Sequence, residues 1–104
     1  MGRYRLSHQA ETDLREIIQH VAKERPSAAV RVSEALKQAF RTLAANSELG
    51  VLREDLRPGS RLFAPAKPAQ NYLIFFYSSP EGIEVSTIIH GARDWAGLFD
   101  REER

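Results

Sequence analysis

The chain has 104 residues, 42% of them hydrophobic, which suits one compact domain over residues 1–104 and leaves no room for a second core. Fifteen basic and fourteen acidic side chains leave a formal net charge of +1, which excludes a global field that would draw the protein onto nucleic acid or a membrane. The absence of cysteine excludes disulfides, thiolate metal sites and a cysteine nucleophile, and no apolar run is long enough to span a bilayer.

The opening Met-Gly-Arg-Tyr-Arg lacks the apolar stretch of a signal peptide, so a cytoplasmic protein is expected. Arg3-Tyr4-Arg5-Leu6 alternates polar and bulky residues as a short half-buried strand does, and Ser7 offers a hydroxyl as a helix N-cap. From Glu11 onward Leu14, Ile17, Ile18 and Val21 recur at helical spacing, with Arg15, Glu16, Gln19 and Lys23 on the other faces. Pro26 ends this helix or opens the next, because proline lacks the amide proton but fits a first helical turn. Ala29, Val32, Leu36, Ala39, Phe40 and Leu43 form a second apolar stripe that runs to about Asn46, completing a helical hairpin.

After Gly50 the helical period disappears, and Glu54 to Gly59 reads as a polar loop. Arg61 to Ala64 is a short strand limited by Pro65 and Pro68. Tyr72 to Tyr77 is the central strand, because both Tyr72/Ile74/Phe76 and Leu73/Phe75/Tyr77 are apolar faces that need cover. Ser79-Pro80-Glu81-Gly82 turns into a half-buried strand from Ile83 to His90, with Ile83, Val85, Thr87 and Ile89 on one face and Glu84, Ser86, Ile88 and His90 on the other. The predicted fold is α+β: an N-terminal strand, a helical hairpin, then a three-stranded antiparallel sheet (β-α-α-β-β-β), with a short C-terminal tail or helix around Trp95, Leu98 and Phe99. If Leu73, Phe75 and Tyr77 point away from the hairpin, the tail, a second copy or another protein must cover them.

From Tyr4 to Phe99 these residues resemble the ParE branch of the RelE/ParE toxin superfamily. Tyr4-x-Leu6-Ser7-x-x-Ala10-x-x-Asp13-Leu14-x-x-Ile17 is similar to the family's first strand and helix, and Pro26-x-Ala28-Ala29 to the start of its second helix. Gly50-x-x-Arg53-x-Asp55-Leu56-x-x-Gly59-x-Arg61, Tyr72-x-Ile74-x-x-Tyr77 and His90-Gly91-x-Arg93-Asp94 resemble the loop and strands that follow. Ser47 stands where many relatives have proline near the end of the second helix, a departure that affects only a helix stop.

The resemblance implies the toxin of a type II toxin–antitoxin pair, and the superfamily has two activities. RelE-like members cleave ribosome-bound messenger RNA, which needs an acid, a base and cations around the phosphate. Of that pattern Arg61 and Arg93 are kept, whereas Leu73 replaces a basic residue and Phe99 a tyrosine. A positioned acid or base contributes about 10²- to 10⁴-fold, so these losses argue against efficient cleavage. The other implied activity is inhibition of DNA gyrase by protein binding, for which Arg61, Arg93, Trp95, Leu98 and Phe99 are the candidate target contacts.

His90, with Arg61 and Arg93, is the catalytic candidate under the nuclease reading. Its alternative role is to hydrogen-bond the turn that leads to Arg93-Asp94. Arg53, Arg57, Arg61, Lys67 and Arg93 either gather to bind phosphate or acidic side chains, or pair with Asp55, Asp94 and Glu84. Trp95, Leu98 and Phe99 either form an apolar hot spot or fold back over the sheet. A cognate ParD-like antitoxin laid across hairpin and sheet, as in ParE relatives, would use Leu14, Ile18, Leu73, Phe75 and Tyr77. DNA contact would come only through that antitoxin. A third reading is a non-toxic relative retained for antitoxin binding. His8 and His20 have no partner at a metal-ligand spacing, so neither a metal nor another cofactor is expected.

Overall fold

The Ser7 hydroxyl starts the first helix in this computed structural model, which describes residues 2–94: its Oγ accepts from the Ala10 backbone N–H at 3.0 Å. Strand β1 (Arg3–Leu6) thus ends directly in helix α1 (His8–Glu24), and helix α2 (Pro26–Ala45) follows after a single residue. That residue, Arg25, caps both helices in extended backbone, as the position before a proline prefers. A 3-10 turn (Ser47–Leu49) leads into β2 (Val51–Leu52), then come β3 (Arg61–Phe63), β4 (Tyr72–Ser79), β5 (Gly82–His90) and the single turn α3 (Gly91–Asp94). Among the described residues no helix is long and apolar enough to cross a membrane.

The α+β reading agrees with the structure, and the sheet is larger than its three-stranded core. Five strands lie in the order β1-β5-β4-β3-β2. The pairs β2/β3, β3/β4 and β4/β5 are antiparallel, whereas β1 runs parallel to β5 with Arg3 opposite Gly82. Gly82 is required at that junction. Its φ is +150°, and a Cβ there would sit 2.0 Å from the Arg3 carbonyl oxygen.

The hairpin packs on one sheet face. Leu36, Phe40 and Leu43 from α2 meet Ile74, Phe76, Ile83 and Val85, all at most 1% exposed. Tyr4 packs its ring on Phe40 at 5.3 Å between centroids. The opposite face carries a smaller cluster in which Phe75 and Ile89 are buried against Leu56, Leu62 and Leu73. Both apolar faces of β4 are therefore covered, the second in part by Leu56 from the loop between β2 and β3.

The strict alternation expected in β5 is not observed. Phe75 pairs with Thr87 but Phe76 pairs with Val85, so Ser86 is an extra residue, a β-bulge, and the strand's phase changes there. Ile83, Val85 and Ile88 face the helices, and Ile89 faces the other way. Thr87, Ile88 and Ile89 are all buried, so β5 is covered on both sides at this point and is more than half-buried. The bulge is tied down by side chains that a pattern of polarity does not reveal. Ser7 Oγ donates to the Ser86 carbonyl at 2.8 Å, Ser86 Oγ donates to the Phe75 carbonyl at 3.0 Å, and Asp13 Oδ2 accepts from Thr87 Oγ1 at 2.6 Å and from the Ile88 N–H at 3.0 Å.

Candidate functional site

The chain reverses at the end of β5 through a compact set of bonds. The Arg93 backbone N–H donates to His90 Nδ1 at 3.2 Å, and the His90 N–H donates to Asp94 Oδ2 at 3.0 Å. Arg93 Nε donates in turn to Asp94 Oδ1 at 3.3 Å. The imidazole also stands edge-on to Tyr72, 5.6 Å between ring centroids. His90 thus holds the turn toward Arg93-Asp94 through Nδ1, which leaves Nε2 to carry the proton of the neutral ring. Burial alone would raise the Asp94 carboxyl, but the His90 N–H and the Arg93 guanidinium outweigh it and hold the group below its ordinary value.

A pH dependence follows from that lowered value. A carboxyl whose folded pKa is depressed stabilises the fold above its unfolded value, about 3.9, and this contribution is lost as pH falls through the lower folded value. The Asp94 side-chain carboxyl signal is therefore expected to titrate below about 4, as read by NMR. Titration of that carboxyl above about 4 would mean that burial outweighs the His90 N–H and Arg93.

Arg61 is not brought to this turn. It pairs with Phe76, whereas His90 pairs with Tyr72 two strands away, which puts the Arg61 and His90 backbones roughly 16 Å apart by strand spacing and rise. The Arg61 guanidinium donates from Nη1 to the Gly50 carbonyl at 2.9 Å, toward the β2 edge and away from His90. Two other arginines pair locally: Arg53 grips Asp55 through two bonds of 2.9 and 2.8 Å, and Arg5 bonds Glu84. Hydrogen bonds from Arg53, opposed by burial, hold the Asp55 carboxyl low. Arg61 and Arg93 therefore do not gather into one cluster.

Leu14 and Ile18 lie half-buried on the outer side of the hairpin. Leu14 lines a shallow apolar groove of about 330 Å³ with Leu6 and Ile18, and a second, of about 350 Å³, runs from Ile18 past Ala22 and Pro26 to Val30. Ile18 joins the two, and Val30 is 64% exposed. On the opposite sheet face Leu73 and Tyr77 are half-buried, whereas Phe75 is 2% exposed and offers a partner almost no surface. Trp95, Leu98 and Phe99 lie outside the described residues.

Two residues at the α1 end of the sheet carry more than their sequence context suggested. Asp13 is 6% exposed; besides the bonds to Thr87 and Ile88, its Oδ1 accepts from Gln9 Nε2 at 2.8 Å. The signal was available, because Asp13 sits three residues after Ala10 and four before Ile17, on the buried stripe of α1. Tyr72 is 7% exposed beside His90. Both line a groove of about 600 Å³ between α1 and the β5–α3 turn. Among the described residues no group of three or more His, Asp or Glu side chains is placed to hold a metal ion.

Residues 4–95 match the family model described as the ParE toxin of the type II toxin–antitoxin system parDE. Among solved structures, the chain is similar to one from the chromosomal ParDE toxin–antitoxin system of P. aeruginosa, with a TM-score of 0.71 and 19% sequence identity over 86% of this chain and 96% of that one. At that identity the likeness is one of fold. No curated protein matches the chain.

Proposed function

Because the chain belongs to the ParE toxin family of type II toxin–antitoxin systems, we propose that it acts in the cytoplasm by binding DNA gyrase, and that a cognate ParD-like antitoxin neutralises it. The observation that carries the binder reading over a nuclease is the separation of Arg61 from the His90–Arg93 turn, which divides the groups a nuclease would need. General acid–base catalysis requires heavy atoms within about 3 Å of the proton they move, or one water further. Arg61 on β3 and His90 on β5 are held apart by β4 and by four residues of register along it, Arg61 Nη1 donates to the Gly50 carbonyl, and His90 Nδ1 accepts from the Arg93 N–H. Loss of the nuclease-type side chains at Leu73 and Phe99 supports the same reading.

The apolar grooves on the hairpin supply the surface for the antitoxin. A partner helix laid along Leu14, Ile18 and Val30 would bury surface that the toxin's own fold leaves open. Leu73 and Tyr77, on the other sheet face, would receive the extended part of the antitoxin. Arg93 is 54% exposed and available to the target.

The test is a supercoiling assay. Purified chain is expected to inhibit gyrase-dependent supercoiling, or to accumulate cleaved plasmid, and equimolar antitoxin is expected to reverse the effect. Normal supercoiling at a large excess of the chain would sink the gyrase target. Cleavage of ribosome-bound message that is lost in His90→Ala would replace it with the nuclease.

A further inference from the structure

The groove between α1 and the β5–α3 turn contains a buried polar group that the fold does not satisfy. Tyr72 is more than nine-tenths buried, yet among the described residues its hydroxyl has no hydrogen-bond partner. Buried polar groups are almost always paired, so an unmet phenol at a groove wall marks a place where something else supplies the bond. Burial raises the phenol pKa, against the pull of Arg93 and with a smaller push from Asp94, so the hydroxyl is a neutral donor. The influence of both residues also places it near the α3 side of the groove.

The charges around it are unevenly spent. Asp13 is engaged by Gln9, Thr87 and Ile88, and Asp94 by the His90 N–H and Arg93 Nε. The terminal nitrogens of Arg93 and the Lys23 ammonium are outside those bonds, and His20 and His90 line the groove with them; among the described lining residues Glu16 is the acid that those bonds do not engage. The apolar part of the lining is small: Ile17 is 8% exposed, and Ile88, at 2%, lies beneath the groove wall. At about 600 Å³ the groove is the size of a small-molecule site, and its lining is mostly polar, which suits a charged ligand over an apolar one.

We propose that this groove binds a small organic anion, a carboxylate or a phosphate monoester, whose body lies against Ile17 and the Tyr72 ring and whose oxyanion accepts from the Tyr72 hydroxyl, His90 and Arg93. This site is separate from the outer hairpin surface assigned to the antitoxin.

Full-length chain titrated by NMR with benzoate, phenyl phosphate and benzyl alcohol tests it. Saturable shifts at Tyr72, Ile88 and Arg93 are expected with at least one of the two anions, and the tighter of them identifies the oxyanion. Benzyl alcohol, which has the ring without the charge, is expected to bind roughly tenfold or more weakly. Tyr72→Phe removes only the hydroxyl and Arg93→Gln only the charge, and each is expected to weaken the anion roughly tenfold with the rest of the spectrum unchanged. If Tyr72→Phe fails to fold, the surface variant Arg93→Gln decides alone. Equal binding of benzyl alcohol, shifts that never saturate, or undiminished affinity in the folded variants would overturn the proposal.

Discussion

Asp13→Ala is expected to destabilise the fold by about 3 kcal/mol, a large share of the ~5–15 kcal/mol that a domain of this size has. The carboxylate is buried and accepts from the Thr87 hydroxyl and the Ile88 N–H, so its removal strands two buried donors on β5. Each stranded donor costs about 1–3 kcal/mol. Alanine also loses the anchor that fixes the bulge at Ser86. Without the bulge, a one-residue change of phase would aim Ile89 at the helices and Ile88 away from them. Asp13→Asn keeps the shape and one acceptor oxygen, so a smaller loss of about 1–2 kcal/mol is expected. Adding Thr87→Val to Asp13→Ala removes one stranded hydroxyl and is expected to recover part of the loss, a coupling that a double-mutant cycle in urea reads directly. A cost below about 1 kcal/mol for Asp13→Ala would mean that the bulge holds without it.

The same residues explain where the sequence was and was not informative. The helices were legible because their signals are local: a Ser7 cap, apolar stripes at helical spacing and Pro26 at a first turn. The two-faced apolar pattern of β4 correctly required cover on both sides, and the structure supplies the hairpin on one and Leu56 on the other. In β5 the pattern continued evenly across Ser86, and the only trace of the bulge was the adjacent pair Ile88-Ile89. One of the groups that tie the bulge down, Asp13, lies 74 residues from Thr87, a distance no period can report. The parallel pairing of β1 with β5 is equally non-local, and β2 is two residues long, too short to carry a pattern.

The candidate site divides along the same line. Residue types that suit chemistry, Arg61, His90 and Arg93, could be named from the chain, but whether they meet depends on register. Arg61 opposite Phe76 and His90 opposite Tyr72 is a fact of strand pairing that keeps them apart. In sequence alone Asp13, a charge in a helix that opens with a serine cap, reads as ordinary helix chemistry. Its place on the Ala10-Ile17 stripe was the clue that burial gives it a structural task.

Ile18→Glu and Val30→Glu are each expected to weaken antitoxin binding by about 10²-fold while leaving the toxin folded. Ile18 is half-buried where the two hairpin grooves meet, and Val30 is 64% exposed at the far end of the second, so the free protein can keep either new carboxylate solvated. In the complex the carboxylate would be sealed under a partner's apolar side chains, and an unpaired charge buried at an interface costs about 2–5 kcal/mol. At ~1.4 kcal/mol per tenfold, 10²-fold lies within that range. Arg41→Glu, on the exposed side of α2 and in neither groove, is the control and should bind as the parent chain does. Calorimetry gives the affinities, and growth gives the biological consequence. Because neither Ile18 nor Val30 is among the residues proposed to contact gyrase, the variants should still arrest cells, and antitoxin co-expression should no longer rescue them. Antitoxin affinity unchanged in both variants would move the partner off the hairpin. Rescue lost together with toxicity would mean that the antitoxin and the target compete for this one surface.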